Sequence, residues 1–304
     1  MKKKLHPDLD ALFAFFQKQR QNPPAEYSHG KGIVNQPDIF TLAQLQNLLN
    51  NPLLSPEWLN LVVRGDDTSL EPALFYKTVQ KKRLMFIDKT FIDHHLANGA
   101  AIVLEGLDIL DSRINSFLAK VDAAFPCVLS NCVVFFSQTD NEAYQGHCDT
   151  DDVLVFQTQG KKVWQLFAPQ QRRYFDASNL SDERLGPVQQ ELTMRPGDAL
   201  YLRAGVPHRC LTPGDYSLHL SFDLGDRTPN VEQISAEADR VYRHATAPAY
   251  GPASQVVEKY VQIMKDSEFQ HALRRETENK REKIQQFRQQ IGQTSAIRYI
   301  GKLK

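Results

Sequence analysis

Two separate segments of the chain carry side chains that could bind one metal ion together. His147 and Asp149 flank Cys148 just before an apolar run, and His208 lies much later in the sequence. Residues two apart on an extended chain project to the same side, so His147 and Asp149 can aim at one point while Cys148 points away. Two imidazoles and one carboxylate are the facial ligand set typical of non-haem iron(II) oxygenases.

A turn and a strand are positioned to deliver the third of these ligands. Pro196–Asp198 reads Pro-Gly-Asp and leads into the apolar run Ala199–Leu202, after which the chain reaches His208. Three protein ligands on one face leave the other metal positions open for a cosubstrate and oxygen, unlike a closed structural site. The sequence therefore predicts His147, Asp149 and His208 as the metal ligands and the catalytic centre.

The elements that must hold these residues are short apolar runs after residue 100. Six such runs are rich in Val, Leu, Phe and Tyr, and Gly or Pro often lies near their ends. They are Ala101–Leu104, Cys132–Ser137, Val153–Gln157, Val163–Phe167, Ala199–Leu202 and Leu218–Leu224. The segment Gln159-Gly160-Lys161 predicts a hairpin between two of them. Many short strands with few helices between them favour a sandwich or barrel over a parallel α/β sheet.

Helical patterns lie on both sides of the predicted strands. One helix carries Leu9 and its neighbours, a second is capped by Thr41, and a third begins at Asp111 or Ser112. After Pro229 the strand pattern stops and helical spacing continues to the end, where residues 231–304 hold 13 Lys/Arg and 9 Asp/Glu.

The apolar positions of this last region need a partner surface. Ile284, Phe287 and Ile291 recur at heptad-like spacing, and such a helix gains most of its stability by burying that face. Packing on the chain's own barrel and pairing with a second copy are both open, and we expect a homodimer.

Composition and charge bear on the remaining classes of partner. The 36 Lys/Arg residues equal the 36 Asp/Glu residues, so overall charge predicts no direct nucleic-acid binding and no membrane partner. No apolar run approaches the roughly 18 residues of a transmembrane helix. The N-terminal segment is basic but lacks the apolar stretch of a signal peptide, so we expect a cytoplasmic protein.

The two metal-binding segments resemble one known family. The run from His147 to Phe167 and the later run from Pro196 to His208 look like the JmjC-type 2-oxoglutarate oxygenases, and within them the cupin-like branch that includes the ribosomal oxygenases. The shared positions are His147, Asp149, Gln157, Gly160, Lys162, Trp164, Pro196, Gly197, Asp198, Leu200, Tyr201, Pro207 and His208. The resemblance covers residues 25 to 228 and does not clearly extend into the C-terminal helices.

The resemblance implies a fold and a division of the chain. The fold would be mainly β with flanking helices, an α+β protein built on a double-stranded β-helix (the jelly roll of cupins and JmjC proteins) with a C-terminal helical region. Residues 1–228 would form the oxygenase domain with its N-terminal helices, and residues 229–304 the helical region. Iron(II), 2-oxoglutarate and O2 would be the cofactor, cosubstrate and oxidant.

The resemblance also implies a pocket for the cosubstrate. Lys162 stands where related enzymes hold a lysine that pairs with the distal carboxylate of 2-oxoglutarate, and a buried dicarboxylate needs such a cation. Asn131, Tyr144 and Ser221 are further candidates for this pocket, whereas Trp164 is expected in the core. His219 could also face the cavity. Asp151 and Asp152 would make the mouth acidic, which suits a cationic substrate, or would be solvated turn residues.

The function implied is oxygenation by a 2-oxoglutarate-dependent dioxygenase. We expect a hydroxylase acting on a protein or peptide side chain, with succinate and CO2 as coproducts. Demethylation of an N-methyl group by the same chemistry stays open, as does a small-metabolite substrate. A non-redox metal-binding cupin is the remaining alternative, although such cupins usually carry more histidines and a Glu in the first strand motif.

Overall fold

A computed structural model describes most of the chain as two compact units. It covers residues 7–35, 39–125, 128–139, 143–168, 180, 185–226, 234, 238 and 253–292. The first unit comprises Met1–Leu118 with Ser130–Gly225, and the second comprises Ala119–Leu129 with Asp226–Lys304. The domain boundary at residues 228 and 229 stays a prediction.

The first unit is built mainly from short antiparallel strands. Among the described residues the strands are β1 (Tyr27–Gly30), β2 (Leu59–Val63), β3 (Asp66–Thr68), β4 (Leu74–Val79), β5 (Lys82–Ile87), β6 (Ala101–Leu104), β7 (Val128–Gln138), β8 (Asp152–Gly160), β9 (Lys162–Phe167), β10 (Val188–Met194), β11 (Ala199–Leu202), β12 (His208–Leu211) and β13 (Tyr216–Asp226). All six apolar runs predicted from the sequence lie within β6, β7, β8, β9, β11 and β13. Strands β1 to β5 were not predicted.

Most of these strands form two sheets with a cavity between them. The other two strands form a separate two-stranded ribbon. The large sheet has the order β1-β11-β8-β13-β7-β6-β2-β3, the small sheet β10-β9-β12, and β4 pairs only with β5. Apolar side chains of both main sheets pack into one cluster, which includes Val155 of β8, Leu166 of β9 and Leu200 of β11. The predicted double-stranded β-helix is confirmed.

The predicted hairpin at Gln159-Gly160-Lys161 is wrong. Strand β8 pairs with β11 and β13 in the large sheet, whereas β9 pairs with β10 and β12 in the small one. Gly160 has a φ of 69°, and a Cβ there would collide with the carbonyl oxygen of Tyr216. The turn is therefore a corner that carries the chain from one sheet to the other.

Helices lie on the outside of the first unit and make up most of the described residues of the second. They are α1 (Pro7–Gln21), α2 (Leu42–Asn50), α3 (Lys89–Ala97), α4 (Leu107–Leu110), α5 (Ser112–Ala124), α6 (Ala253–Lys265) and α7 (Ser267–Gly292). Thr41 caps α2 as predicted, in a capping box with Gln44. None of the described helices is long and apolar enough to cross a membrane.

Strand β13 shows how the sheet presents polar residues to the cavity. Leu218, Leu220, Phe222 and Leu224 on one face are all buried, and the ring of Phe222 packs against that of Phe117 from α5. The residues that alternate with them, His219, Ser221 and Asp223, line the cavity. The pleat of one strand thus separates a dry helix-covered face from a polar inner face.

The second unit contains both a buried ion pair and exposed apolar side chains. Arg288 Nε of α7 lies 2.8 Å from Asp122 Oδ2, and both side chains are buried. Val257, Val261 and Met264 of α6 recur at helical spacing and are exposed. Phe287 of α7 is exposed as well. The side chains of Ile284 and Ile291, predicted to share its seam, lie outside the described part of the structure.

Candidate metal centre

The two candidate histidine ligands are joined through their backbones. The His147 N–H donates to the His208 carbonyl at 3.0 Å, and the His208 N–H donates to the His147 carbonyl at 2.9 Å. This isolated antiparallel bridge brings the segment before β8 beside the start of β12. Gly205 N–H also donates to the Asp149 carbonyl at 2.9 Å. The relative positions of the three candidate ligands are therefore set by main-chain pairing.

The three predicted ligand side chains converge on one point. His147, Asp149 and His208 each offer a ligand atom, and these atoms lie within 4.8 Å of one another. His147 Nε2 lies 3.5 Å from Asp149 Oδ1, and His208 Nε2 lies 3.7 Å from Asp149 Oδ2. Among the described residues this is the one His/Cys/Asp/Glu group with such geometry. The donor set matches the two-histidine, one-carboxylate site that suits iron(II).

The far nitrogen of each imidazole is held by a backbone carbonyl. His147 Nδ1 lies 2.8 Å from the Gln145 carbonyl, and His208 Nδ1 lies 3.1 Å from the Val206 carbonyl. A carbonyl partner requires a proton on Nδ1, which leaves the lone pair of Nε2 facing the shared point. Metal-binding histidines are usually oriented by such a contact.

Electrostatics keep His208 and Asp149 in the charge states that metal binding needs, whereas His147 would have to give up a proton that Asp149 favours. Burial, together with nearby His147, lowers the pKa of His208 to about 4, so its imidazole is neutral at physiological pH. Burial would raise the pKa of Asp149, but His208 and His147 hold it below its usual value. Burial likewise opposes protonation of His147, yet the Asp149 carboxylate raises its pKa overall.

Asp152 anchors the segment that follows the candidate ligands. Its carboxylate accepts hydrogen bonds from Arg20 Nη1 at 3.1 Å, Arg203 Nε at 3.1 Å, Ala204 N–H at 2.9 Å and the Tyr201 hydroxyl. Burial would raise the pKa of Asp152, but these partners hold it below the usual value. Asp152 is buried and charge-paired, so the idea that it makes the mouth acidic is wrong.

A cavity of about 210 Å³ extends inward from the metal-binding point. Its polar lining residues come from both sheets and from the loop before β8. They are Tyr144, His147, Asp149, Lys162, His208, His219, Ser221 and Asp223. Tyr144, Lys162 and Ser221 thus line this cavity, whereas Asn131 is not among its lining residues and instead bonds the Asp223 side chain.

Lys162 places a positive charge inside this cavity. Its side chain is 1% exposed, and its Nζ donates to Ser137 Oγ at 2.7 Å and to Thr212 Oγ1 at 2.9 Å. Those two hydroxyl oxygens are 2.8 Å apart. A buried ammonium held by hydroxyl groups is suited to receive an anionic ligand. Ser137 and Thr212 were not identified from the sequence.

His219 supplies a polar atom that lacks a protein partner. Its Nδ1 is buried without a hydrogen bond among the described residues, and its ring stacks on Phe135 with a centroid distance of 5.0 Å. Burial, with the charge of Lys162, lowers its pKa well below the usual value, so the ring stays neutral. An unsatisfied buried nitrogen in a polar cavity costs free energy unless a ligand or water meets it.

Trp164 combines a core role with a position at the cavity wall. Its indole is 5% exposed, belongs to the apolar cluster between the sheets and stacks on His208 at 5.2 Å between centroids. Its Nε1 also has no hydrogen bond within the described residues. The prediction that Trp164 belongs to the core is confirmed, although the same ring supports a candidate ligand.

Carboxylates surround the remaining wall of the cavity. Burial, together with the charges of Asp149 and Asp151, raises the pKa of Asp223 to about 7. Burial raises the pKa of Tyr144 to about 12, together with the charges of Asp67 and Glu105. This side of the cavity is therefore poor in positive charge, in contrast to the end that holds Lys162.

Cys148 points away from the candidate ligands, as the two-residue spacing predicts. It is buried in a separate apolar cluster with Phe167, Leu180 and Leu185. Its thiol therefore faces a packed core, while the side chains on either side of it face the cavity.

Comparison with known proteins finds similarity to one family model and to curated relatives in the central part of the chain. Residues 110–234 match the family model described as the JmjC domain. The chain is 27% identical over 129 residues to the bifunctional lysine-specific demethylase and histidyl-hydroxylase NO66 of Drosophila persimilis, a match covering 42% of this chain and 19% of that protein. It is also 27% identical over 114 residues to ribosomal oxygenase 2 of Mus musculus, covering 36% of this chain and 24% of that protein.

Solved structures share the fold over a longer stretch. The X-ray structure of Escherichia coli ycfD has a TM-score of 0.56 and 14% identity, and the match covers 88% of this chain and 71% of that one. A structure of YcfD, a ribosomal oxygenase, with cobalt and succinic acid has a TM-score of 0.52 and 13% identity, covering 84% and 68%. The resemblance to JmjC-type oxygenases, and to the ribosomal oxygenases among them, is confirmed.

Proposed function

We propose that this chain, whose residues 110–234 match the JmjC domain, is an iron(II)- and 2-oxoglutarate-dependent oxygenase that hydroxylates a protein or peptide side chain. The chain spans a quarter or less of the two curated relatives described above, so their activities support this proposal only at the level of the family. Succinate and CO2 would be the coproducts.

One observation carries the proposal: three metal-ligand side chains and a buried ammonium line the same cavity. His147, Asp149 and His208 would hold iron(II), and Lys162 would receive the distal carboxylate of 2-oxoglutarate. Iron(II) and 2-oxoglutarate, when bound, would supply the electrons that activate O2 for attack on a carbon–hydrogen bond. The protein supplies orientation, a dry enclosure and compensation of charge.

The residues around Lys162 fit a carboxylate chemically. The Lys162 ammonium donates to the hydroxyl groups of Ser137 and Thr212, which hold its positive charge in place inside the cavity where an anion could meet it. The neutral ring of His219 lies in the same cavity with an unsatisfied nitrogen. Tyr144 and Ser221 also line the cavity and remain proposed contacts for the cosubstrate, while Asn131 would act through Asp223.

The size and charge of the cavity favour the end of a side chain as substrate. Pockets for whole small molecules are usually about 300–1,000 Å³. The cavity here is about 210 Å³, and a cosubstrate would occupy part of it. Asp223 on the wall offers a carboxyl group to N–H donors, so a nitrogen-bearing side chain is a suitable substrate.

The size and lining of this cavity also bear on the three alternative functions that the sequence left open. A small-metabolite oxygenase would need more room than this volume supplies, unless the substrate binds mostly outside it. A non-redox cupin would have no use for a buried lysine held by two hydroxyl groups. Demethylation of an N-methyl group uses the same oxygen chemistry and is the second candidate outcome, since one relative's name includes both activities.

Turnover of 2-oxoglutarate is the direct test of the proposal. Purified protein with iron(II) and ascorbate should convert 2-oxoglutarate to succinate, and the rate should rise when host-cell extract is added. Mass spectrometry of that extract should then find a peptide one oxygen heavier. Absence of both 2-oxoglutarate binding and succinate formation would refute an oxygenase and favour a non-redox cupin.

Self-association through the C-terminal helices is proposed separately. The exposed stripe Val257, Val261 and Met264 on α6 offers an apolar face that a second copy could cover. Light scattering after size-exclusion chromatography should give a dimer for the full chain and a monomer for Val261→Asp. A monomeric full chain at tens of micromolar would refute the dimer. The cytoplasmic location stays a prediction from the sequence.

A further inference from the structure

Strands β4 and β5 form a hairpin that stands apart from both main sheets. Among the described strands they pair only with each other, and the Asp88 N–H closes the base by donating to the Ala73 carbonyl at 2.8 Å. Ala73 and Ile87 at this base are buried. Nearly all described side chains from Phe75 to Arg83 are exposed. The hairpin Leu74–Ile87 is therefore anchored at its base and solvated along the rest of its length.

All the charged residues of this hairpin are positive. Residues 74–87 contain four cations, Lys77, Lys81, Lys82 and Arg83, and no Asp or Glu. All four are exposed, and none forms an ion pair with another described residue. The balance of 36 basic and 36 acidic residues over the whole chain conceals this local excess. A cluster of unpaired surface cations attracts a polyanion.

Aromatic rings accompany the cations on both faces of the ribbon. Phe75 pairs with Phe86 across the strands, and their rings stack at a centroid distance of 5.5 Å. Tyr76 lies on the opposite face, where the Arg83 guanidinium sits 4.0 Å from the centre of its ring. Phe75 is 49% exposed and Tyr76 is 53% exposed. Each face thus presents a flat apolar ring beside positive charge.

We propose that the hairpin Leu74–Ile87 binds single-stranded nucleic acid, with phosphates on its four cations and bases stacked on Phe75 and Tyr76. Cations that follow a phosphate backbone and aromatic rings that stack on bases are the two features of sequence-tolerant single-strand binding. The inference is independent of the oxygenase proposal, because no residue of the cavity takes part in it.

The distribution of residues along the hairpin favours nucleic acid over a membrane. Phe75 and Tyr76 lie near the base, whereas the turn consists of Gln80 and Lys81. A hairpin that inserted into lipid would carry its aromatic residues at the tip. An acidic peptide would satisfy the cations but would leave the two rings without a flat partner.

Binding should depend steeply on salt. Each phosphate neutralised on a single strand contributes a slope of about −0.7 to log K against log salt. Four contacts give a slope of about −2.8, which amounts to about a fiftyfold loss of affinity between roughly 50 and 200 mM salt. Fluorescence anisotropy with a short labelled oligouridylate, and with oligothymidylate as the DNA counterpart, measures this slope on the full chain.

A charge variant tests the cations. The triple variant Lys77→Gln, Lys81→Gln and Lys82→Gln should reduce the salt slope to about −0.7, as one cation remains. A matched control removes three exposed cations of α7 and α6 through Arg274→Gln, Arg275→Gln and Lys265→Gln. The control should bind like the wild type. Equal losses in both variants would overturn the proposal, because the effect would then follow net charge.

An aromatic variant tests stacking independently of charge. Phe75→Leu with Tyr76→Leu keeps apolar volume but removes the flat rings, and should weaken binding at least about tenfold. The salt slope should stay at the wild-type value, since no cation is lost. Circular dichroism checks that the fold persists. Failure to bind either oligonucleotide at about 50 mM salt, or cation-dependent binding only to phosphatidylserine vesicles, would refute nucleic-acid binding.

Discussion

Lys162 and Lys82 carry the same ammonium group in opposite surroundings. Lys162 is 1% exposed and lies against two hydroxyl groups inside the cavity, whereas Lys82 stands in solvent near the tip of the hairpin. Burial makes a charge expensive to leave uncompensated, so its interactions become strong, directional and weakly screened. Exposed charges act additively and are screened by salt. The cavity is therefore suited to one small ligand, and the hairpin to an extended polyanion.

The largest effect should come from removing the carboxylate of the metal centre. Asp149→Ala takes away one of three converging ligands, so we expect loss of measurable succinate formation while circular dichroism stays unchanged. Manganese(II) binding, followed by electron paramagnetic resonance, should weaken in parallel. The exposed Asp93→Ala is the matched control and should be fully active. An active Asp149→Ala protein would exclude the proposed triad.

Removing the buried ammonium should have the next largest effect. Lys162→Ala should cost roughly 2–5 kcal/mol of 2-oxoglutarate binding, or between one and four orders of magnitude in affinity. Calorimetry on the manganese-loaded protein measures this, and metal affinity should stay nearly constant. Lys161→Ala and Lys82→Ala make the same chemical change outside the cavity and should leave the affinity unaltered. If Lys162→Ala binds 2-oxoglutarate normally, the contrast between buried and exposed lysines fails.

A smaller effect is expected at the unsatisfied imidazole. His219→Phe keeps a ring that can stack on Phe135 but removes both nitrogens, so 2-oxoglutarate affinity should fall about tenfold, the value of one lost hydrogen bond near a charge. His219→Gln retains polar atoms and should recover part of the loss. Calorimetry distinguishes the two variants. Equal affinities for wild type and His219→Phe would show that this nitrogen meets only water.

Breaking the hydrogen-bond network of Asp152 should lower the free energy of unfolding more than it changes catalytic activity. Asp152→Asn leaves Arg20 and Arg203 without their carboxylate, and we expect a loss of about 2 kcal/mol in the free energy of unfolding, since both arginines retain some contact with solvent. The pair of Asp111 with the exposed Arg113 lies nearer to solvent and provides a control, and Asp111→Asn should change stability by less than about 0.5 kcal/mol. Urea denaturation at neutral pH compares them. Equal effects would mean that burial does not strengthen this network.

The smallest effect concerns the pH dependence of that network. The pKa of Asp152 is lowered in the folded protein, so its stabilising contribution is complete above the unfolded value of about 3.9 and is lost as the pH falls through the folded value. The stability difference between wild type and Asp152→Asn should therefore be constant from about pH 5 to 8 and shrink below about pH 4. A difference that grows on acidification would contradict the assigned charge state.

The barrel strands and the candidate triad could both be predicted because each is marked by a local pattern of residues. Strands such as β8 and β11 are buried on both faces, so they appear as continuous apolar runs that need no knowledge of their partners. The HxD spacing and the later Pro-His pair are equally local signals. The sheet assignment of β9 was wrong because turn residues do not reveal which sheet follows a corner.

The residues that sequence reasoning missed depend on non-local information. The hairpin of β4 and β5 turns through Gln80 and Lys81, both with positive φ, instead of the Asn-Gly that marks such turns. Ser137 and Thr212 matter only because Lys162 reaches both across the barrel. For His219, the alternation in β13 was a usable signal, but an irregularity in register between Leu218 and His219 leaves its direction undetermined without the structure.

The reciprocal main-chain bridge between His147 and His208 has an evolutionary consequence. It joins the two ends of a segment of about 60 residues that contains β8 to β11, and lengthening a flexible connection between such strands is cheap, since each doubling costs only about 0.6 kcal/mol. Insertions or deletions in the connections between these strands can therefore accumulate without displacing either candidate ligand. Descendants of this fold are free to exchange whole surface segments, and with them their substrates, while inheriting the same ion-binding geometry.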